Sequence, residues 1–356
     1  MTDKPRKKIL HILVPDKFTL PFIEMVNREF RPEDHLFLFT SNPESVVQNN
    51  TLNVKSLRNP YRMHFFKNTV LFLKCAGNST KIILHGNPLL FYLVLFPWLL
   101  ARTYWVIYGY EIDDNLVKIR RTFLEKFIRS FVFKRVYGHI THIEGDSELL
   151  NRHYKSGAVF FYSPIYLSNV VRETEQKPAR DGSRESTVNI LAGNNTSPTN
   201  NHESIFKMLL PYKGADVMIY CPLSYGLYND YRDYIIDLGR DYFGDRFIPL
   251  TEFMRADDYL EFLRNIDIGV FNHQRQEGMG VIIQLLNLGK TIFMNSTTTS
   301  YKSFINRGFK VFDNSLILND GLLVNRDVSG NIALTSSYYS YEKLVLSWDI
   351  IFKDKP

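Results

Sequence analysis

The stretch Ile266–Asn295, IDIGVFNHQRQEGMGVIIQLLNLGKTIFMN, constrains the fold more than any other part of the chain. Ile268 to Phe271 is a short β-branched and aromatic run, Val281 to Leu288 is an apolar run of helical length closed by Gly289, and a second strand-like run follows. Strand, loop, helix and strand in this order bring the two strands together in parallel, because a helical crossover returns the chain to the same end of the sheet. Gln276-Glu277-Gly278-Met279-Gly280 forms the loop between strand and helix, and its glycines let backbone come close to a ligand. The amides of the helix start and the positive end of its dipole suit an anion, to which Arg275 adds a full charge. Short glycine patterns also serve turn geometry alone, so this stretch by itself leaves both uses open.

The same alternation runs through the whole chain. Strand patterns at Lys8–Val14, His35–Thr40, Ile82–His85, Tyr104–Tyr108 and His139–Glu144 are separated by helical patterns at Leu20–Phe30, Tyr61–Ala76, Pro88–Leu100, Leu116–Tyr137 and Asp146–Tyr154. Residues 171–187 are charged and rich in Pro, Gly and Ser, which marks a linker between a first domain at 1–170 and a second at 188–356. The pattern then begins again, with strands at Val188–Ala192, Val217–Cys221 and Phe247–Leu250 and helices at His202–Leu210, Asn229–Tyr242 and Asp257–Arg264. The expected fold class is therefore α/β, with two Rossmann-like doubly wound domains that bind ligands in an interdomain cleft at the carboxyl ends of their strands. Leu344–Phe352 is expected to pack back across the linker.

At 356 residues the chain has room for about two domains with cores of their own. The two cysteines, Cys75 and Cys221, fit no metal spacing and argue for a reducing compartment. Pro15 and Asp16 interrupt the first apolar run too soon for a secretory signal. A net charge of +6 favours anionic partners such as nucleotides, lipid diphosphates or an acidic membrane surface, and no DNA- or RNA-binding motif accompanies it, so nucleic acid is not expected. The most apolar run, Pro88–Leu100, falls short of the ~20 residues that span a bilayer and contains Pro97.

Several loops carry candidate chemistry. In the second domain a strand runs into Gly193-Asn194-Asn195, and a helix begins after Asn201, a second place where glycine and a helix start could meet a diphosphate. Asn201 also fits a plain helix cap. Tyr225 leaves a strand at the same edge and could offer an aromatic face to a base or sugar. In the first domain the strand ends carry His85, Glu111 and Asp16, any of which could serve as a general base toward an attacking hydroxyl, with Glu111 and Asp16 ranked first. Asp16 fits equally well as a helix cap, and His85 as a buried structural histidine. The segment 116–135 sets Phe123, Phe127 and Phe131 at helical spacing beside Arg121, Lys126 and Arg129, a pattern suited to an anionic membrane surface as well as to a core helix with a solvated basic face. No Asp-x-Asp motif, metal-ligand cluster, Gly-x-Ser-x-Gly elbow or Walker loop occurs, so no metal and no cofactor are expected.

The motifs HGNP, WVIYGYEID, EGDSELL, FYSP, LAGNNTSPTNNH and above all the segment Tyr259–Asn295 resemble the bacterial TDP-Fuc4NAc:lipid II Fuc4NAc transferases, also called 4-α-L-fucosyltransferases, of glycosyltransferase family 56. The resemblance spans nearly the whole chain. It implies a GT-B fold, a TDP-linked acetamido-dideoxyhexose as donor and a polyprenyl-diphosphate oligosaccharide as acceptor. It also implies a peripheral place at the cytoplasmic face of the inner membrane, in the synthesis of enterobacterial common antigen. The chain departs from the family pattern at Glu277 and at Tyr110-Glu111, which leaves the sugar and acceptor open. Glu277-Gly278-Met279-Gly280 also resembles the glutamate-glycine loop of retaining GT-B enzymes, but Leu285 stands where their second glutamate falls, so the stereochemistry stays open. Other readings are a non-catalytic nucleotide-sugar-binding subunit of a glycan assembly complex and a GT-B-like nucleotide-sugar epimerase.

Overall fold

The computed structural model describes residues 8–16, 18–41, 53–57, 64–86, 88–109, 122–171, 187–226, 229–322 and 326–356. Glu111, Arg121 and most of the expected linker lie outside the described residues. The chain divides into two compact units, Met1–Ser168 with Tyr341–Pro356, and Asn169–Ser340.

The first unit is built on β1 (Lys8–Leu13), β2 (His35–Phe39), β3 (Val54–Ser56), β4 (Ser79–His85), β5 (Thr103–Val106), β6 (Gly138–Thr141) and β7 (Val159–Tyr162). They form one sheet in the order β3-β2-β1-β4-β5-β6-β7, every pair parallel. β2, β5 and β6 are buried at every position, as strands covered on both faces must be. The helices are α1 (Thr19–Glu29), α2 (Phe65–Gly77), α3 (Leu90–Leu95), α4 (Phe123–Phe133) and α5 (Glu144–Tyr154). The apolar run at 88–100 does not form one helix. Pro97 has no N–H to donate, so α3 stops ahead of it and a 3-10 segment, Pro97–Arg102, continues the chain. Within the long helix expected from Leu116, the first described turn begins at Thr122, whose hydroxyl and Glu125 form a reciprocal capping box.

The second unit carries β8 (Val188–Ala192), β9 (Val217–Pro222), β10 (Phe247–Leu250), β11 (Ile268–Phe271), β12 (Thr291–Met294) and β13 (Phe312–Asp313) in the order β10-β9-β8-β11-β12-β13, again all parallel. Its helices are α6 (His202–Leu209), α7 (Asn229–Phe243), α8 (Ala256–Arg264), α9 (Met279–Asn287), α10 (Thr299–Asn306) and α11 (Gly330–Tyr339). Each unit has its own apolar core, one around Leu10, Leu84 and Trp105 and the other around Ile190, Ile219 and Val270.

The last helix, α12 (Tyr341–Lys353), belongs to the first unit. Trp348 is fully buried there and its indole N–H donates to the Ile165 carbonyl at 3.0 Å. Beyond it the chain is fastened by Lys81, whose ammonium donates to the carbonyls of Ile351 and Asp354, the latter at 2.9 Å. Burial lowers the Lys81 pKa to about 8, with the Asp354 carboxylate opposing the shift.

Candidate active site

In the second unit, strands β8 and β11 are neighbours, and the loops that leave their carboxyl ends meet. Two glycines make this approach possible. Gly193 follows β8 with φ +70, and a Cβ there would lie 2.6 Å from His202 Nε2. Gly278 precedes α9 with φ +66, and a Cβ there would lie 2.9 Å from both Asn194 Cγ and His273 Cε1. Neither position admits an L side chain without strain, in backbone or in space.

Glu277 clamps the two loops together. Its carboxylate accepts from the Asn195 side-chain amide at 3.1 Å and from the Thr199 hydroxyl at 2.5 Å. Arg275 Nε stands 3.8 Å from the same carboxylate, and both side chains are largely shielded from solvent. Behind them, Asn200 Oδ1 accepts from the Asn194 backbone amide at 2.8 Å and from His273 Nε2 at 3.1 Å, which fixes the proton of His273 on Nε2. Burial drives the His273 pKa down to about 4 and that of His202 to about 3, so both rings are neutral near pH 7. Asn194 Oδ1 and His202 Nε2 are buried without a hydrogen-bond partner among the described residues. Such atoms are costly in an empty protein and are natural contacts for a ligand.

Tyr225 joins the same edge, since its carbonyl accepts from the Thr196 amide at 2.8 Å while its ring is exposed. Gln276 and Met279 are buried, so Met279 offers a ligand only its backbone amide; Gly280 is half-buried in the first turn of α9. Asn201 takes the N-cap position of α6 in a left-handed conformation and makes no side-chain cap. The structure therefore gathers Gly193, Asn194, Asn195, Arg275, Glu277 and Gly278 at the start of α9. Sequence reading missed Thr199, Asn200, His202 and His273; the bonds of Thr199 to Glu277 and of Asn200 to His273 emerge only when the two loops are paired. Among the described residues, no group of three His, Cys, Asp or Glu side chains could hold a metal ion.

In the first unit, Asp16 is exposed at the end of β1, and one of its oxygens accepts from the Phe18 amide at 2.8 Å and the Thr19 hydroxyl at 2.6 Å. It therefore holds the turn that leads from β1 into α1, whose N-cap residue, Phe18, has no side-chain cap. His85 requires a correction as a general base. It is buried, its two ring nitrogens face His11 and Tyr166, and burial pushes its pKa down to about 3, so it offers no accessible nitrogen to a substrate.

On α4, Phe123 is 87% exposed, and Phe127 and Lys126 also face outward. Two members of the expected basic and aromatic face turn inward instead. Arg129 is buried over the Phe133 ring at 4.7 Å, and Phe131 is half-buried beneath Arg135 at 4.0 Å. Among the described residues no helix is long and apolar enough to cross a membrane.

Two all-parallel sheets of this order make the GT-B fold, and solved structures of that fold superpose on nearly the entire chain. HepE from Anabaena in complex with UDP matches with a TM-score of 0.68 at 12% identity, covering 97% of this chain and 99% of that one. Sucrose-phosphate synthase from Thermosynechococcus elongatus matches with a TM-score of 0.68 at 11% identity and 98% coverage of each chain. A glycosyltransferase from Rickettsia africae gives 0.66 at 11% identity, also with 98% coverage of each. Residues 16–325 match the model of the 4-alpha-L-fucosyltransferase family, glycosyl transferase group 56, and the chain belongs to that family.

Proposed function

We propose that this glycosyltransferase moves an acetamido-dideoxyhexose such as Fuc4NAc from a TDP-linked donor to a polyprenyl-diphosphate oligosaccharide, at the cytoplasmic face of a bacterial inner membrane, in the synthesis of enterobacterial common antigen or a related surface glycan. The observation that carries this reading is the convergence of the Gly193 and Gly278 loops on the start of α9, in a chain of the fucosyltransferase family. The amides of that helix start and Arg275 are set to neutralise the donor diphosphate without a divalent ion. HepE, which shares the fold, has been solved with UDP-glucose bound, and this supports a nucleotide-sugar donor. Asp16 and Glu111 remain the candidate bases for the acceptor hydroxyl.

An exposed apolar face supports the membrane part. Phe65, Phe66 and Val70 on α2, Phe91 and Leu95 on α3, Trp98 after it, and Phe123, Leu124 and Phe127 on α4 all face outward. The described stretches 64–86, 88–109 and 122–135 contain Glu125 as their sole acidic residue, beside exposed Lys67, Lys74, Lys126, Lys134 and Arg135. An apolar face accompanied by five exposed cations and a single exposed carboxylate is complementary to an anionic bilayer.

Release of free nucleotide from a panel of TDP- and UDP-sugars, with and without a short-chain polyprenyl-diphosphate disaccharide, tests the proposal. Acceptor-dependent release from a TDP-sugar, insensitive to EDTA, is the expected result. Donor consumption with no need of acceptor would favour an epimerase, and restoration by Mg²⁺ after EDTA would overturn the metal-free donor site.

A further inference from the structure

The first unit holds a chain of buried polar side chains that nothing above employs. Strands β2, β1 and β4 lie side by side, and each carries one buried histidine, namely His35, His11 and His85. His35 Nδ1 lies 3.1 Å from His11 Nε2, and His11 Nδ1 lies 3.2 Å from His85 Nε2. His85 Nδ1 is 2.7 Å from the Tyr166 hydroxyl, which in turn hydrogen-bonds the hydroxyl of Tyr108. The turn that presents Tyr166 is unusual, because Ile165 has φ +76, a conformation that β-branched residues rarely adopt. It is fixed from both sides, by the Trp348 indole donating to the Ile165 carbonyl and by the Ile165 amide donating to Ser163 Oγ at 3.0 Å.

Desolvation, with Lys81 and Lys8 as further cations acting on the chain, keeps these imidazoles neutral at pH 7. A neutral imidazole has one N–H and one bare nitrogen, so the direction of any one link dictates the direction of the next. Two arrangements satisfy every link. In one, Tyr108 donates to Tyr166, Tyr166 to His85, His85 to His11 and His11 to His35. In the other every bond runs the opposite way, and Tyr166 donates to Tyr108. In the interconversion each interior group gives one proton and takes one; the chain stays neutral because the Tyr108 hydroxyl takes a proton from water at one end and His35 Nε2 gives one up to water at the other.

The outer end of this chain has the features of a sugar site. The Tyr166 ring stacks on Phe18 at 5.9 Å and on Tyr108 at 5.7 Å, and the Phe18 amide holds the exposed Asp16 carboxylate beside them. Aromatic faces next to hydroxyls and a carboxylate suit a ring that is apolar on its face and hydroxylated at its edge.

We propose that Phe18, Tyr108 and Asp16, which are half-buried or exposed, form the subsite for the acceptor's sugar ring, and that the buried Tyr166, His85, His11 and His35 are positioning residues that let the Tyr108 hydroxyl meet a sugar hydroxyl as either donor or acceptor. The proposal rests on the transferase reading and extends it to the acceptor side.

Steady-state kinetics of Tyr108→Phe, Tyr166→Phe and His11→Gln, with a TDP-sugar and the short-chain polyprenyl-diphosphate disaccharide, provide the test, together with ¹⁵N spectra of the histidine-labelled wild type. Each variant is expected to raise the acceptor KM roughly three- to tenfold, the worth of about one hydrogen bond, with the donor KM unchanged. His11→Gln does so from a buried position because an amide cannot exchange donor and acceptor ends as a tautomer does. The His35 signals, at the far end of the chain, should shift when acceptor binds and stay still when TDP alone is added. Should His11→Gln not fold, Tyr108→Phe and the spectra decide. An unchanged acceptor KM in both tyrosine variants of an active enzyme, or histidine signals indifferent to saturating acceptor, overturns the proposal. If the wild type transfers nothing to the lipid-linked disaccharide, that acceptor assignment falls, and a titration with methyl pyranosides decides the subsite by the same spectra: a shift at His35 sustains it and silence removes it.

Discussion

Glu277 illustrates how much one residue in the second unit carries. Its carboxylate is the shared acceptor for Asn195 and Thr199, so Glu277→Ala takes an acceptor from two donors of the Gly193 loop, of which Thr199 keeps its contact with the Ser197 hydroxyl, at a cost of about 1–3 kcal/mol. The donor KM is expected to rise while a saturated enzyme keeps much of its kcat, which steady-state kinetics at varied TDP-sugar will read. Gly278→Ala combines a left-handed backbone with a Cβ pressed against Asn194 and His273, and it is expected to lower thermal stability as well as donor affinity, by about 1 kcal/mol or more in stability. The glycines and asparagines of this site are legible in the sequence because only glycine meets such backbone demands and short amides cap turns. The link between Asn200 and His273 was not legible, since it joins two loops and appears only once β8 and β11 are adjacent, and His202 was not, since its partner Tyr231 lies 29 residues away on α7. His85 was legible as a residue at a strand end but not as a buried one, because its covering groups, His11 and Tyr166, lie 74 and 81 residues away.

Among the elements, the parallel strands were the most readable, since β8 and β10 are largely apolar runs between turn signals and fall where the sequence places them. Helix lengths were less so. Pro97 divides one apolar run, and Thr122 with Glu125 caps α4, details of local hydrogen bonding that hydrophobic periodicity does not contain. α4 gives the prediction at this scale. Phe123→Ser with Phe127→Ser removes two exposed rings that pack little in the fold, so binding to anionic liposomes should fall while the melting temperature stays within a few degrees. Equal flotation of variant and wild type would remove the membrane assignment from this face. Phe131 does not belong in that experiment, because it is partly packed and its loss would confound folding with binding. α12 makes the opposite case: Trp348→Ala empties a buried site and should cost about 3–5 kcal/mol, measurable by denaturant unfolding.

For the whole molecule, the buried histidines set the response to acid. His85 and His202 are held to about 3 and His35, His139 and His273 to about 4, chiefly by desolvation, and His11 is likewise well depressed. Above pH 6.5 these rings are neutral whether the chain is folded or not, and they add no pH dependence. Between about 6.5 and 4 the unfolded chain takes up protons that the folded chain refuses, so stability falls as pH falls through this window. A melting temperature that is flat from pH 7 to 8 and declines steadily from 6.5 to 4 is expected; a flat profile down to 4 would contradict the neutral burial of these rings. At this scale two repeating α/β patterns were visible in the sequence, whereas the fastening of α12 through Lys81 was not, since a lysine inside a strand carries no signal that it meets a helix end 270 residues later. The central claim is that the paired glycine loops of the second unit hold the donor diphosphate, and calorimetric titration of TDP into wild type, Asn194→Asp and Arg275→Gln tests it most directly. Asn194→Asp places a negative charge where the buried amide oxygen now stands without a partner, and Arg275→Gln removes the nearby cation, so each variant should weaken TDP at least tenfold, with Arg275→Gln unfolding within a few degrees of the wild type and Asn194→Asp lower, as a buried unpaired charge requires. TDP bound equally well by all three proteins would contradict it.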